Sequence, residues 1–324
     1  MVSSLHRRTV IGGLATAALV CLTSLASGPA HARDTINVVA TTGMIADAAR
    51  QVGGDRVHVK ALMGPGVDPH AYRQTRSDIV ALTKADLVLW HGLYLEAQME
   101  EFMQRLAKRQ DIVAVGDALP RDLLIGHDDY ENKFDPHVWM NPDLWSRVVE
   151  IIRDALITEQ PAGAATFRAN AEKHLAELKA LNDYTHRALK SVPPESRVLL
   201  TAHDAFKYFG KTYGFEVIGI QGISTESEAG LKRIRDLVDQ IVDRNIRAVF
   251  VESSVSDRNI RALIEGAAAR GHQVTIGGEL FSDAMGEPGT YEGTYVGMID
   301  HNTTTISRAL GGTAPAKGMS GRLS

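Results

Sequence analysis

Residues 162–191 read AGAATFRANAEKHLAELKALNDYTHRALKS. Phe167, Ala171, Leu175, Leu178, Leu181, Thr185 and Leu189 recur at spacings of three and four, the period of one helical face. Pro161 stands before the stretch and Pro193-Pro194 after it, residues that bound a helix rather than continue it. Thirty residues rising 1.5 Å each make a rod of about 45 Å. A rod of that length resists bending far more than a loop linker would. On its N-terminal side, short apolar runs at Ile36–Thr41, Val57–Met63, Leu87–Trp90 and Ile112–Val115 alternate with helix-like or loop sequence. On its C-terminal side the rhythm restarts at Val198–Thr201, Val217–Ile220, Ala248–Val251 and Val274–Ile276. Short β-branched runs alternating with helical segments predict parallel sheets in an α/β architecture. Two sets of runs around one long helix predict two lobes, with an eight-stranded barrel as the alternative.

Composition narrows the chemistry. The chain has 324 residues, 44% of them apolar and 23% charged, which fits a globular protein of about two domains. Its net charge of −4 lacks the basic excess of a nucleic-acid binder, and no nucleic-acid partner is expected. With a single cysteine, Cys21, neither a disulfide framework nor a thiolate-ligated zinc site can form. Metal chemistry would have to rest on the twelve histidines and the carboxylates.

Residues 1–32 read as an export signal: His6, Arg7 and Arg8 precede an uncharged span to Ala30-His31-Ala32, an A-x-A cleavage site. The expected result is a periplasmic protein cleaved after Ala32. Arg7-Arg8 also suits a twin-arginine signal, and the route is left open. Lipid attachment at Cys21 is disfavoured because Ala18-Leu19-Val20 lacks the Leu at −3 and the small residue at −1 of a lipobox. Beyond residues 1–32, the expected organisation is an N-terminal lobe over 33–160, the linking helix over 161–192, a C-terminal lobe over 193–310 and a flexible tail over 311–324. The tail reading rests on Gly311-Gly312-Thr313-Ala314-Pro315-Ala316-Lys317-Gly318.

One tripeptide occurs twice, as Asp68-Pro69-His70 and Asp135-Pro136-His137. Proline stiffens the turn, so each histidine has little freedom to lose on binding, and the aspartate two residues earlier can hold the turn or a ring N–H. A third candidate, His203, closes the first strand of the second half, where α/β sheets place their ligands. A fourth, Asp283, follows the last apolar run; taken alone it reads more readily as a cap or turn residue. Neutral imidazoles with one carboxylate suit zinc, manganese or ferrous iron.

These residues carry a resemblance. Asn37–Ala48, Met63–His70, Asp135–Trp139, Thr201–Phe206 and Gly222–Glu226 resemble the metal-binding solute-binding proteins of ABC transporters, the manganese/zinc/iron branch known as cluster A. The likeness runs from about residue 36 to 310. It implies two (β/α)-type lobes with four-stranded, mostly parallel sheets, joined by one rigid helix with the metal between them. The implied ligands are His70, His137, His203 and Asp283; the implied cargo is Mn2+ or Zn2+, with Fe2+ also accommodated. The implied partner is an ABC permease in the cytoplasmic membrane, served by a monomer that closes only slightly on its metal. Histidine rather than glutamate at position 203 keeps both metals open. The short His127-Asp128-Asp129, where zinc-uptake members carry a long histidine-rich loop, tips the reading toward manganese.

Other signals are weaker. Gly210-Lys211-Thr212 ends like a phosphate loop but lacks the earlier glycine, with Ala205 in its place. Glu226, Glu228 and Glu252 lie near strand ends; Glu252 reads equally as an acid behind a ligand or as a core residue. His174 and His186, on the long helix, are expected to be solvated, and Trp139 and Phe206 to wall the site. Two rival functions use the same residues: a secreted zinc hydrolase with Glu252 as base, and a surface adhesion module with a structural metal. The chain is expected not to be an enzyme, because four protein ligands would leave zinc no open position.

Overall fold

The computed structural model describes residues 35–127 and 132–324. The export signal, Cys21, Asp128 and Asp129 lie outside the described residues. In the first half, β1 (Ile36–Ala40), β2 (Val57–Ala61), β3 (Leu87–Trp90) and β4 (Ile112–Ala114) form one sheet in the order β2-β1-β3-β4. Every pairing in it is parallel. Its helices are α1 (Gly43–Gly53), α2 (Arg76–Lys84) and α3 (Glu100–Leu106), followed by α4 (Pro142–Glu159). Local chemistry sets their starts. Thr42 caps α1, Thr75 and Asp78 form a reciprocal capping box on α2, and Asn141 caps α4 ahead of Pro142.

The long helix α5 spans Ala164–Lys190 after a 3-10 turn at Pro161–Gly163. Its buried face is Phe167, Ala171, His174, Leu178, Leu181, Thr185 and Leu189 with their neighbours. His174, expected to be solvated, is therefore buried: it lies three residues after Ala171 and four before Leu178, on the apolar stripe itself. His186 is exposed and meets the Tyr213 ring edge-on at 4.8 Å.

The second half runs β5 (Val198–Thr201), α6 (Lys207–Tyr213), β6 (Glu216–Gly219), α7 (Leu231–Asp243), β7 (Ala248–Glu252), α8 (Arg258–Ala269), β8 (Thr275–Leu280) and α9 (Tyr295–Ala309). Its strands are parallel as expected, but they are hydrogen-bonded as two pairs, β5–β6 and β7–β8, rather than as one four-stranded ladder. The β7–β8 ladder carries a register irregularity at Val249/Phe250, and irregularities of this kind bend and twist a strand locally. Beyond the end of β5, the His203 N–H is taken by the side chain of Glu252 rather than by a main-chain carbonyl. Separate sheets rule out the barrel.

The core explains why the halves are not loosely tethered. One apolar cluster runs from Ile36 and Leu89 through Trp139 and Trp145 to Phe167 and Leu178, and on to Phe206, Phe209, Tyr295 and Ile306. A second, led by Leu200, Ile218, Leu237, Val249 and Leu263, fills the C-terminal sheets and helices. Near its C-terminal end the long helix is also braced by α9, through Tyr184–Thr304, Thr185–Thr303 and Ser307 to the Ala188 carbonyl.

The segment 311–324, expected to be flexible, is hydrogen-bonded to the rest of the fold at several points, although most of its residues are exposed. The Met319 N–H donates to the Asp300 carboxylate at 2.9 Å, the Ser324 N–H donates to Glu292 at 2.7 Å, and Leu323 is buried. The glycines that suggested disorder serve a contact: Gly318 has φ +72°, and a Cβ there would stand 2.5 Å from an Asp300 oxygen.

Candidate metal centre

The two Asp-Pro-His turns use the same local device. In each, the aspartate Oδ1 accepts the histidine main-chain N–H, at 2.8 Å for Asp68–His70 and 2.9 Å for Asp135–His137. They then diverge. Asp135 Oδ1 also accepts the Nδ1–H of His137 at 2.7 Å, whereas Asp68 turns its second oxygen to the Thr225 hydroxyl in the other half, at 2.5 Å. His203 lies just beyond β5, and Glu252 at the end of β7 accepts both its N–H, at 2.9 Å, and its Nδ1–H, at 2.5 Å. This settles Glu252: it is the carboxylate that orients His203. Asp283 follows β8 in a segment pinned by the Trp139 indole, which donates to the Ser282 carbonyl at 2.7 Å.

With Nδ1 of His137 and His203 held by carboxylates, Nε2 is left as the free ring nitrogen on each. These atoms converge. His137 Nε2 lies 3.3 Å from Nε2 of both His70 and His203. The Asp283 oxygens stand 3.2, 3.4 and 3.8 Å from Nε2 of His203, His137 and His70 respectively. Four donors placed tetrahedrally at about 2.05 Å from a zinc-like ion would be spaced about 3.3 Å apart. The separations of 3.2–3.4 Å match that figure and the 3.8 Å one to His70 exceeds it, with Asp283 turning Oδ2 to His203 and His70 and Oδ1 to His137. All four side chains are buried and could together hold one metal ion. Neither Asp283 oxygen has a well-directed hydrogen-bond donor, and the groups that face its charge are His137 and His203.

The electrostatics of the metal-free cluster are uneven. Burial pushes His70 down to about 3, against the pull of Asp283. Burial also opposes the charged form of His137, but Asp135 and Asp283 outweigh it and hold His137 up to about 9. His203 is likewise raised well above its ordinary value, as Glu252 and Asp283 overcome its burial. Asp283 is held well below the carboxylate range, because His203 and His137 outweigh its burial.

Trp139 is fully buried and lies edge-on to His137 at 5.2 Å, as expected of a wall, while Phe206 is fully buried and lies edge-on to Phe209. His70 lines a cleft of about 290 Å³ with Tyr94, Lys133 and Glu226; Asp283 lines a second cavity, of about 450 Å³, beside α1. Glu226 accepts from Gln98 at 2.6 Å across the cleft, while Glu228 accepts from Asn259 at 3.5 Å.

Sequence reasoning missed Glu96. Its buried carboxylate accepts the Thr41 hydroxyl at 2.6 Å and the His91 and Gly92 N–H groups at 2.8 and 3.1 Å. It thereby holds a loop in which Gly92, Leu93 and Tyr94 all have left-handed φ, a strained arrangement for the last two. Burial raises Glu96 to about 7. His91, in the same loop, is fully buried and lies edge-on to Trp139 at 5.0 Å.

Replacing Glu252 with Gln keeps its shape but cannot accept both His203 donors. Metal affinity is expected to fall about 10- to 100-fold, as for other carboxylates behind a metal histidine, measurable by chelator competition.

The fold and this cluster define a class, the metal-binding solute-binding proteins of ABC transporters. Residues 38–309 match the family described as zinc-uptake complex component A, periplasmic, and the chain belongs to that family. It is 48% identical over 275 residues to the manganese-binding lipoprotein MntA of Bacillus subtilis, covering 85% of this chain and 90% of that one. It is 46% identical over 273 residues to the zinc-binding protein TroA of Treponema pallidum, covering 84% and 88%. It is 32% identical over 300 residues to the iron-binding protein YfeA of Yersinia pestis, covering 92% and 94%. Among solved structures, the periplasmic zinc-binding protein TroA of Treponema pallidum superposes with a TM-score of 0.83 over 85% of this chain and 99% of that one, at 46% identity.

Proposed function

We propose that the chain captures one divalent transition-metal ion, manganese or zinc, outside the cytoplasm and delivers it to an ABC permease in the cytoplasmic membrane. His70 and His137 from the first half and His203 and Asp283 from the second are its ligands. The observation that carries this is the convergence of donor atoms from four buried side chains, most of them 3.2–3.4 Å apart. The core shared by both halves favours a small closure on the metal.

The donor set does not choose the metal. Zinc gains more from these ligands by the Irving–Williams order, so availability and delivery decide. The relatives divide in the same way, one named for manganese and one for zinc at nearly equal identity. Elemental analysis of protein purified without added metal, followed by competition titration, tests the reading. One equivalent of manganese or zinc per chain is expected, and a wild-type chain that retains and binds neither would overturn it.

A hydrolase would need an open metal position and a free base beside it. Glu252, the candidate base, has both oxygens engaged by His203. We infer a carrier that acts as a monomer, without nucleic acid. For its export we propose cleavage after Ala32 rather than lipid attachment at Cys21. Among the described residues no helix is long and apolar enough to cross a membrane.

A further inference from the structure

The segment carrying Asp283 is held from an unexpected direction. After Asp283 the chain runs through Ala284–Gly293 along the edge of the 450 Å³ cavity, and residues 287–290 are exposed. Main-chain hydrogen bonds tie its two limbs, from the Gly286 N–H to the Glu292 carbonyl at 2.9 Å and from the Thr290 N–H to the Glu287 carbonyl at 3.1 Å. The far limb is gripped by the end of the chain. Ser324 donates to the Glu292 carboxylate, and the Arg322 guanidinium lies 4.4 Å from the centre of the Tyr291 ring. Asp300, buried in α9, joins the two: its carboxylate accepts the Tyr291 hydroxyl at 3.0 Å and the Met319 N–H at 2.9 Å.

The root of this tail is equally fixed. Thr313 donates to the Ser191 hydroxyl just after α5, and Gly312 donates to the Ser307 carbonyl in α9, each at 2.7 Å. The contacts therefore form a continuous line from the end of the long helix, through the tail, to residues 291–292, to Gly286, and so to within three residues of Asp283. The family match ends at residue 309, before the tail.

We propose that residues 312–324 are a strap that positions Asp283, slowing metal release by holding the 284–294 segment in place. The strap acts through the segment and touches no ligand, so its residues are positioning residues. This rests on the metal-capture reading above, because it assigns Asp283 a ligand's task.

The test uses two variants. One ends at Gly311. The other, Gly318→Ala in the full chain, puts a methyl group against the Asp300 carboxylate at a left-handed position. Amide hydrogen exchange of the metal-free proteins reads the strap without reference to metal. Exchange over 284–294 is expected to speed up in both variants, while β1 and α4 keep their protection. Zinc and manganese release into excess chelator is expected to accelerate about tenfold, the low end for losing support behind a ligand, with one ion still bound per chain. If 284–294 exchanges as in the wild type in both variants, there is no strap. If exchange quickens but release does not, the positioning role is wrong. A wild-type chain that binds neither metal would bring down the capture reading, and the positioning claim with it, whatever the exchange shows. Should the shortened chain fail to fold, Gly318→Ala carries both readouts.

Discussion

Asp283→Ala is expected to lower metal affinity about 100- to 1000-fold. A structural zinc site of comparable make-up contributes about 10–16 kcal/mol, so one ligand in four accounts for roughly 3–4 kcal/mol, at 1.4 kcal/mol per tenfold. Asp283 should sit at the upper end, because it is the carboxylate that faces all three imidazoles. Asp283→Asn keeps an oxygen in place but removes the charge, and should fall between the wild type and alanine. Competition with a chromophoric chelator measures both. A loss of less than tenfold for alanine would remove Asp283 from the ligand set.

The second large effect is on pH. Three histidines at their ordinary value would predict affinity that levels off above about pH 6.5. The geometry predicts otherwise. His70 is already neutral, since burial holds it near 3, so it has no proton to release. His137, held up to about 9, and His203, raised well above its ordinary value, carry protons in the metal-free cluster at neutral pH. The metal must displace both. The metal-free form thus binds more protons than the loaded form, so affinity rises with pH. With protons displaced from both, affinity should keep climbing as pH rises through neutrality, past the point where ordinary histidines would level off. Calorimetry in buffers of different ionisation enthalpy counts the protons directly. A plateau from pH 6.5 upward, or no proton release, would contradict the cluster's electrostatics.

What could be read from the residues alone follows a physical line. The Asp-Pro-His turns were legible because each aspartate acts on the histidine two positions later, within a window that sequence inspection covers. The strands were legible because buried parallel strands demand short apolar runs. The burial of His174 was legible too, had its place on the helical stripe been weighed above its polarity. Glu252 was named but ambiguous, as its partner is 49 residues away. The Thr225 contact to Asp68 spans 157 residues and has no local signature. Glu96 gave no signal because its task is to collect main-chain N–H groups, which every sequence supplies. The tail was misread because glycine marks flexibility and close approach alike, and only the position of Asp300 distinguishes them. Asp283 was suggested by the family resemblance, its local sequence being that of an ordinary turn.

The shared core also has a consequence in time. Asp47, buried in α1 near the start of the fold, accepts the main-chain N–H of Tyr295, 248 residues later. Tyr295 in turn stacks on Trp145 and donates its hydroxyl to the Trp139 carbonyl. A ribosome delivers Asp47 long before Tyr295, so α1 lacks this partner until α9 has been made. Contacts so distant in sequence slow folding and prolong the interval in which sticky surface is open to other molecules. An element made late, α9, therefore completes one made early, α1.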